Sequence, residues 1–188
     1  MRSSTRGDAE EPSVLKGLAA GLVAGLAASL VMNRFQGAWS RQSQGVEKSH
    51  GAQSLQPSGG GTREGEGGRD EDDATEKVAS AISEGLLDRR LSEGEKEKAG
   101  TAVHYAYGAV TGAFYGAAAE LAPVVAAGAG VPFGALVWLL GDEGAVPALG
   151  LSAGPAAYPA STHVYSVASH LIYGLTLEVV RRAVRRAL

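Results

Sequence analysis

No cysteine occurs among the 188 residues, so neither disulfide bonds nor thiolate metal sites can form. Neither sign of charge is in large excess, since 17 lysines and arginines and 20 acidic residues give a formal net charge of -3. No basic stretch is interleaved with aromatic residues, and we therefore expect no nucleic-acid partner. Dinucleotide-binding, phosphate-loop and HExxH zinc motifs are also missing. We accordingly predict no cofactor, no metal, no catalytic residue and no enzymatic activity.

Composition divides the chain into successive segments. They are a polar N-terminal tail (1–13), a first transmembrane helix (14–38), a disordered linker (39–73), an amphipathic helical segment (74–98) and a three-helix membrane core with a basic C-terminus (99–188). The linker is rich in Gly, Ser, Gln and charge, and it cannot bury enough apolar surface to offset the entropy lost on ordering. Within the amphipathic segment, Val78, Ile82 and Leu86 share one helical face. Ser92 and Glu95 fit a capping box, which predicts that a helix restarts there.

Four stretches are long and apolar enough to cross a bilayer as helices, which takes about 20 residues. They are residues 14–35, 101–121, 123–141 and 163–181. The predicted fold class is therefore all-α, a polytopic membrane protein with about four transmembrane helices. Pro123 and Pro132 make a kinked or partly re-entrant segment the alternative for the third stretch. Residues 142–162, with several prolines, are predicted to form a loop.

Glycine recurs at every fourth residue in two of these stretches, although a helical glycine costs about 1 kcal/mol relative to alanine in water. In lipid, small residues at this spacing let two helix backbones approach closely. We therefore predict that both triplets are helix-packing faces, with a soluble Ala/Gly-rich bundle as the alternative. The triplets are Gly17, Gly21 and Gly25 in the first stretch and Gly108, Gly112 and Gly116 in the second.

Basic residues follow the last stretch directly, which favours a cytoplasmic C-terminus. They are Arg181, Arg182, Arg185 and Arg186. An even number of spans then places the N-terminus on the same side, so we predict that both termini are cytoplasmic. The expected partners are the lipid bilayer and either further copies of the chain or another membrane protein.

Several motifs carry a family resemblance. They are "AVHYAYG", the spacing from His104 to Glu120, the loop "GDEGAVPALGLS" and the closing "SHLIYGLTLEVVRR", in which His170 precedes Glu178 and a pair of arginines. Over roughly residues 74–186 the chain resembles the YagU-like small bacterial inner-membrane proteins. The resemblance implies a four-span protein of the bacterial inner membrane, of uncharacterised function and sometimes connected with acid tolerance. It supplies no catalytic residues.

Ionisable side chains within membrane stretches are costly, so they are candidates for handling protons or a small ligand. The candidates are His104, Glu120, Asp142, His163, His170 and Glu178. His104 and Glu120 lie about 24 Å apart on one helix and cannot form one site within it. His163 and His170 share a helical face, but their separation of about 10.5 Å is too long for joint binding of one ion.

Five of the six candidates also have a structural alternative. His104 and Glu120 suit interfacial anchors or hydrogen bonds between helices, and Glu178 suits an ion pair with the arginines that follow it. His170 is either a structural hydrogen-bonding residue or a pH sensor whose carboxylate partner comes from another span. Asp142 is expected at the membrane surface, with a pocket beneath the proline-rich loop as the alternative.

Two functions of different classes follow from these residues. The first is a membrane protein that responds to protons or a small ligand through its histidines and acids, in line with the acid tolerance that the resemblance implies. The second is a structural membrane component, whose glycine faces serve helix packing and whose amphipathic segment contacts a partner or the lipid surface.

Overall fold

The computed structural model describes residues 13–42 and 73–188, and these ranges contain helices and loops but no strand. In chain order the elements are α1 (Val14–Gln42), α2 (Ala74–Leu87), α3 (Glu93–Leu121), a 3₁₀ segment (Pro123–Gly130), α4 (Val131–Val137), a π-helical segment (Trp138–Ala145), α5 (Val146–Ala148), a 3₁₀ turn (Pro155–Ala157) and α6 (Ala160–Ala187). The predicted all-α class is confirmed. The predicted polar tail and most of the predicted linker lie outside the described residues.

The central helix is α1, which packs between α3 and α6 and runs antiparallel to both. At its contact with α3 the two glycine triplets face each other, with Gly17 opposite Gly116, Gly21 opposite Gly112 and Gly25 opposite Gly108. A Cβ atom added to Gly112 would lie 2.4 Å from the carbonyl oxygen of Gly21. The nearest atoms are backbone atoms of the facing helix, which cannot turn away as a side chain can. A side chain at Gly112 would therefore push α1 and α3 apart.

A second close contact joins α4 to α6 through glycines that the sequence analysis did not identify as packing residues. A Cβ atom at Gly174 would lie 2.2 Å from the carbonyl oxygen of Gly130, and one at Gly134 would lie 2.1 Å from that of His170. Gly130 also has a φ of 79°, which disfavours any residue with a side chain. The segment around α4 therefore lies on α6 as closely as α3 lies on α1.

The third apolar stretch is bent near its start and longer than the sequence predicts. Its backbone leaves helical geometry at Ala127–Ala129 and becomes α-helical again at Val131, directly before Pro132. The helix then continues in π form through Asp142 and on to Ala148, so the predicted loop over 142–162 is wrong for its first seven residues. Pro147 has no N–H to donate, and the wider π turn before it accommodates the proline ring without ending the helix.

The amphipathic segment consists of α2 and the start of α3. Small residues of α2, among them Ala79 and Ser83, are buried, whereas the side chains of Ile82 and Leu86 are exposed. The predicted capping box begins α3, because the N–H of Ser92 donates to the Glu95 carboxylate at 3.0 Å. Hydrogen bonds from the backbone and the hydroxyl of Ser92, together with the nearby Arg89 guanidinium, lower the pKa of Glu95 to about 2.

The distribution of side chains across the bundle is the reverse of that in a water-soluble protein. Large apolar side chains are exposed on α1, α3, α4, the π-helical segment and α6, and they include Leu22, Leu26, Leu30, Val110, Phe114, Leu136, Leu139, Leu140, Leu175 and Val179. The interior holds mostly small and polar residues, including Ser29, Gln36, His104, Asp142, Thr162, Ser166, Ser169, His170 and Glu178.

Two helical stretches within the described ranges are long and apolar enough to cross a membrane. They are α1, with 29 residues, and Pro123–Ala148, with 26 residues. The core helix of a soluble protein can have the same length and composition, but it is mostly buried. The exposure of the helix surface therefore distinguishes such a core helix from a membrane-spanning one. Most of Pro123–Ala148 lies on the surface of the protein and not in its core. The glycines and the polar residues of α3 and α6 leave these two helices below the same criterion.

We expect Gly112→Ala to destabilise the protein by at least about 1 kcal/mol, because the added Cβ atom meets the backbone of α1. Gly94→Ala, in the same helix, is the matched control, since a Cβ atom there has no neighbour within 4 Å. Higher helix propensity should make this control neutral or stabilising by up to about 1 kcal/mol. Thermal unfolding in detergent measures both variants. Equal melting temperatures for the two would show that the α1–α3 contact is not a tight backbone contact.

Candidate functional site

The buried polar residues form two groups. The histidine–aspartate cluster lies in the middle of the bundle and comprises Asp142, Ser166 and His170. The arginine–glutamate cluster lies where α1 begins and where α3 and α6 end, and it comprises Glu120, Glu178, Arg181, Arg182 and Arg185.

Asp142 and His170 face each other inside the protein, and each is 3% exposed. The hydroxyl of Ser166 donates to Oδ2 of Asp142 at 2.6 Å. Nδ1 of His170 donates to the carbonyl oxygen of Ser166 at 2.9 Å and lies 3.8 Å from Oδ2 of Asp142. The expectation that Asp142 marks the membrane surface is therefore wrong, because the π-helical segment directs this side chain towards α6 and not outwards.

A cavity of about 20 Å³ adjoins this cluster, which is enough space for a water molecule. It is lined by Ser29 from α1, by His104 and Thr111 from α3, and by Tyr173 from α6, besides Asp142 and His170. The hydroxyl of Ser29 is fully buried and has no hydrogen-bond partner among the described residues. Buried hydroxyls of this kind are commonly satisfied by an internal water molecule.

Gly108 connects the helix packing to the cavity. The hydroxyl of Tyr173 donates to the Gly108 carbonyl oxygen at 2.7 Å, and Oγ1 of Thr111 lies 3.4 Å from the same hydroxyl. A Cβ atom at Gly108 would lie 2.0 Å from Oγ of Ser29. A side chain at this position would therefore fill the space that the buried hydroxyl of α1 occupies.

His163 belongs to neither cluster. Its Nδ1 lies 2.7 Å from Oε1 of Glu143, and its Nε2 lies 3.1 Å from the carbonyl oxygen of Pro155. A carboxylate and a carbonyl only accept hydrogen bonds, so these two contacts together suit the doubly protonated, cationic form of the ring. This ion pair fastens the start of α6 to the π-helical segment and to the loop between them.

Glu178 organises the first half of the arginine–glutamate cluster. Its side chain is 1% exposed and accepts hydrogen bonds from Nε of Arg181 at 2.7 Å, from Nε of Arg182 at 2.5 Å and from the Tyr115 hydroxyl at 2.9 Å. The Arg181 guanidinium also lies over the Tyr115 ring, 5.9 Å from its centroid. The arrangement includes the ion pair that the sequence predicts for Glu178 and adds a contact to α3.

Glu120 organises the other half. Nε of Arg185 donates to Oε1 of Glu120 at 2.8 Å, and the backbone N–H of Ser13 donates to Oε2 at 2.9 Å. Arg181 lies 3.9 Å from Glu120 and links the two halves of the cluster. One carboxylate therefore fastens together the start of α1, the end of α3 and the end of α6.

The predicted candidates are thus distributed over three places. His104, Asp142 and His170 line one cavity, whereas Glu120 and Glu178 share the arginine–glutamate cluster. Three partners of these candidates are not among the residues that the sequence predicts: Ser29, Thr111 and Tyr115. Ser29 had a usable signal, because it continues the four-residue spacing of the α1 glycines. Within residues 13–42 and 73–188, no group of three or more histidine and carboxylate side chains is placed to hold a metal ion.

The stretch "GLSAG" around Ser152 fits the GxSxG pattern of nucleophile elbows. Such an elbow places the serine on a sharp turn between a strand and a helix. Ser152 instead lies in the loop between α5 and the 3₁₀ turn, and its hydroxyl donates to the carbonyl oxygen of Ala153. The pattern does not form the expected geometry here.

The fold and its interior define a class: an all-helical protein with two helices of membrane-spanning length and a polar interior. A family model described as "Protein of unknown function (DUF1440)" matches residues 82–179, which is more than half of the chain. The chain belongs to this family, whose function is not known. No curated protein and no solved structure matches the chain.

We expect Glu178→Gln to destabilise the protein by about 3 kcal/mol, because it leaves two guanidinium groups without their buried carboxylate. The control is Glu84→Gln, which removes a carboxylate 3.7 Å from Arg90 in an ion pair whose side chains are both well exposed. Exposed pairs contribute about 0–1 kcal/mol. Chemical or thermal unfolding in detergent measures both variants, and similar losses would show that the arginine–glutamate cluster is not important for stability.

Proposed function

We propose that the protein is integral to the bacterial inner membrane, crosses the bilayer four times and responds to protons. The four crossings are α1, α3, Pro123–Ala148 and α6. The observation that supports this proposal is the distribution of side chains, with large apolar groups outside and polar groups inside. Water would disfavour such a surface, whereas lipid solvates exposed apolar side chains and forces polar ones inward.

The position of the two chain ends supports the proposed orientation. Ser13 at the start of α1 and Arg185 near the end of α6 both bind Glu120, so these two points lie at one end of the bundle. Four arginines of α6 lie at this same end. Arginines close to a span favour the cytoplasmic side, and this supports the proposal that the start of α1 and the end of α6 both lie on that side.

The proton response is proposed for the histidine–aspartate cluster. Asp142 is a buried carboxylate whose hydrogen bond comes from a neutral hydroxyl, that of Ser166. A proton taken up by His170 creates a cation 3.8 Å from this carboxylate, in an interior where charges attract more strongly than in water. Proton uptake therefore draws α6 towards the π-helical segment, and this movement shifts the packing of α6 against α3, which Tyr173 contacts through Gly108. The other titratable side chains that line the adjoining cavity are His104, Tyr107 and Tyr173.

The resemblance to the YagU-like inner-membrane proteins agrees with this proposal. The acid tolerance sometimes connected with those proteins requires a group whose charge changes near neutral pH, and histidine is the side chain with that property. We therefore propose that acidification is the physiological signal and that His170 receives it.

A structural function is the second candidate, and the exposed face of α2 favours it. Ile82 and Leu86 are exposed next to the bundle, where a partner protein, a second copy of the chain or the lipid surface can cover them. In this case the glycine faces serve helix packing alone, and the histidines are structural.

Membrane integration predicts that the protein stays in the membrane fraction after washing with alkaline carbonate and needs detergent for extraction. Apolar side chains on the outward faces of α1 and Pro123–Ala148 are the physical reason. Fractionation of cells that produce the full chain tests this. Release by carbonate, or solubility without detergent, would refute the proposed membrane integration.

The proton response predicts that acidification from about pH 7 to about pH 5, the range in which histidine titrates, changes the distance between α3 and α6. Because the chain has no cysteine, spin labels can be attached through Thr101→Cys and Val164→Cys and their distance measured. We expect the label distance to change with pH in the chain that carries only these two substitutions. In a chain that also carries His170→Gln, which cannot titrate, the distance should not change.

His163→Gln is the matched control, since it removes a second histidine of α6 that lies outside the histidine–aspartate cluster. It should retain the response. A response that persists in His170→Gln refutes the proposal, and one lost only in His163→Gln assigns the sensor to the Glu143 ion pair. A label distance that does not depend on pH favours the structural function.

A further inference from the structure

One outward stripe of α6 changes from apolar to cationic as it reaches the arginine–glutamate cluster. The stripe consists of Leu175, Val179, Arg182 and Arg186, which are four, three and four residues apart and so share a helical face. Leu175 and Val179 are exposed apolar residues, and both arginines are exposed as well. Arg182 lies about 4.5 Å and Arg186 about 10.5 Å along the helix from Val179.

Arg182 is held in place while half of its side chain faces outward. Its Nε donates to the buried Glu178 carboxylate at 2.5 Å, and its side chain is 52% exposed. Its two Nη groups donate no hydrogen bond to any of the described residues. Arg186, one turn further on, likewise makes no ion pair within residues 13–42 and 73–188. Two neighbouring guanidinium groups therefore present free donors on one face.

The charge at this end of the bundle is incompletely balanced among the described residues. Glu120 and Glu178 are the two carboxylates that the arginines of α6 contact. They bind three of the four guanidinium groups at this end, those of Arg181, Arg182 and Arg185, whereas in the described part of the chain no contact joins Arg186 to either carboxylate. Arg181 and Arg185 point inward and are buried against the carboxylates, so the excess positive charge lies on the outward pair.

We propose that this stripe binds an anionic phospholipid, with the phosphate on Arg182 and Arg186 and an acyl chain along Val179 and Leu175. A guanidinium pair offers the forked donors that suit a phosphate. The apolar continuation of the stripe distinguishes a lipid from a free phosphate ion, which has nothing to bind beyond the arginines. The inference rests on the proposed membrane integration and is independent of the proton response.

The test is native mass spectrometry of the full chain, purified in neutral detergent and equilibrated with equal amounts of phosphatidylglycerol and phosphatidylcholine. We expect the anionic lipid to be retained in preference. Each arginine near a membrane surface changes the binding of an anionic lipid by about fivefold, so Arg182→Gln with Arg186→Gln should remove most of the preference. Because Arg182 also holds Glu178, the single Arg186→Gln variant is measured too and should lose about fivefold.

The matched control is Arg34→Gln with Arg90→Gln, which removes the same charge from exposed residues near the opposite end of the bundle. It should keep the preference. Equal retention of both lipids, an unchanged preference in Arg186→Gln, or an equal loss in the control would each overturn the assignment. Displacement of the lipid by millimolar inorganic phosphate would identify a free-anion site and would also overturn it. Because the protein would still require detergent in all these cases, failure of the lipid site is distinguishable from failure of membrane integration.

Discussion

The backbone contact between the glycine faces of α1 and α3 is the constraint on which the rest of the structure depends. In the proposed lipid environment the helices gain no hydrophobic attraction for one another, so their association would depend on close packing and on hydrogen bonds between them. The absence of Cβ atoms at this contact lets Ser29 lie against Gly108 and leaves the Gly108 carbonyl within reach of Tyr173. The position of the cavity is thus a consequence of the glycine spacing.

The two polar clusters differ in what a proton can do to them. In the arginine–glutamate cluster every carboxylate is held by guanidinium groups, which stay charged at any physiological pH, so the cluster acts as a fixed fastening. The histidine–aspartate cluster joins a carboxylate to a hydroxyl and an imidazole, and histidine is the residue type whose ordinary change of charge falls closest to neutral pH. For this reason the proposed response is assigned to Asp142 and His170 and not to Glu178.

How far the sequence predicts this arrangement depends on whether the signal is local. The glycine faces and the Ser92–Glu95 capping box are spacings within one helix, and the structure contains both. Asp142 is buried because it lies in the π-helical segment, whereas its sequence surroundings, with several prolines, predict a loop that begins at residue 142. The contact of Tyr115 with Glu178 joins residues 63 positions apart and has no local signal at all.

The arginine–glutamate cluster restricts movement at its end of the bundle. Glu120 binds both the start of α1 and the end of α6, so these ends are held together. At the opposite end the His163–Glu143 ion pair joins α6 to the π-helical segment. Lys77 of α2 donates to the carbonyl oxygen of Leu151 in the adjoining loop. If His170 changes its charge as proposed, we therefore expect α2 and this loop to move more than the end that the arginine–glutamate cluster holds.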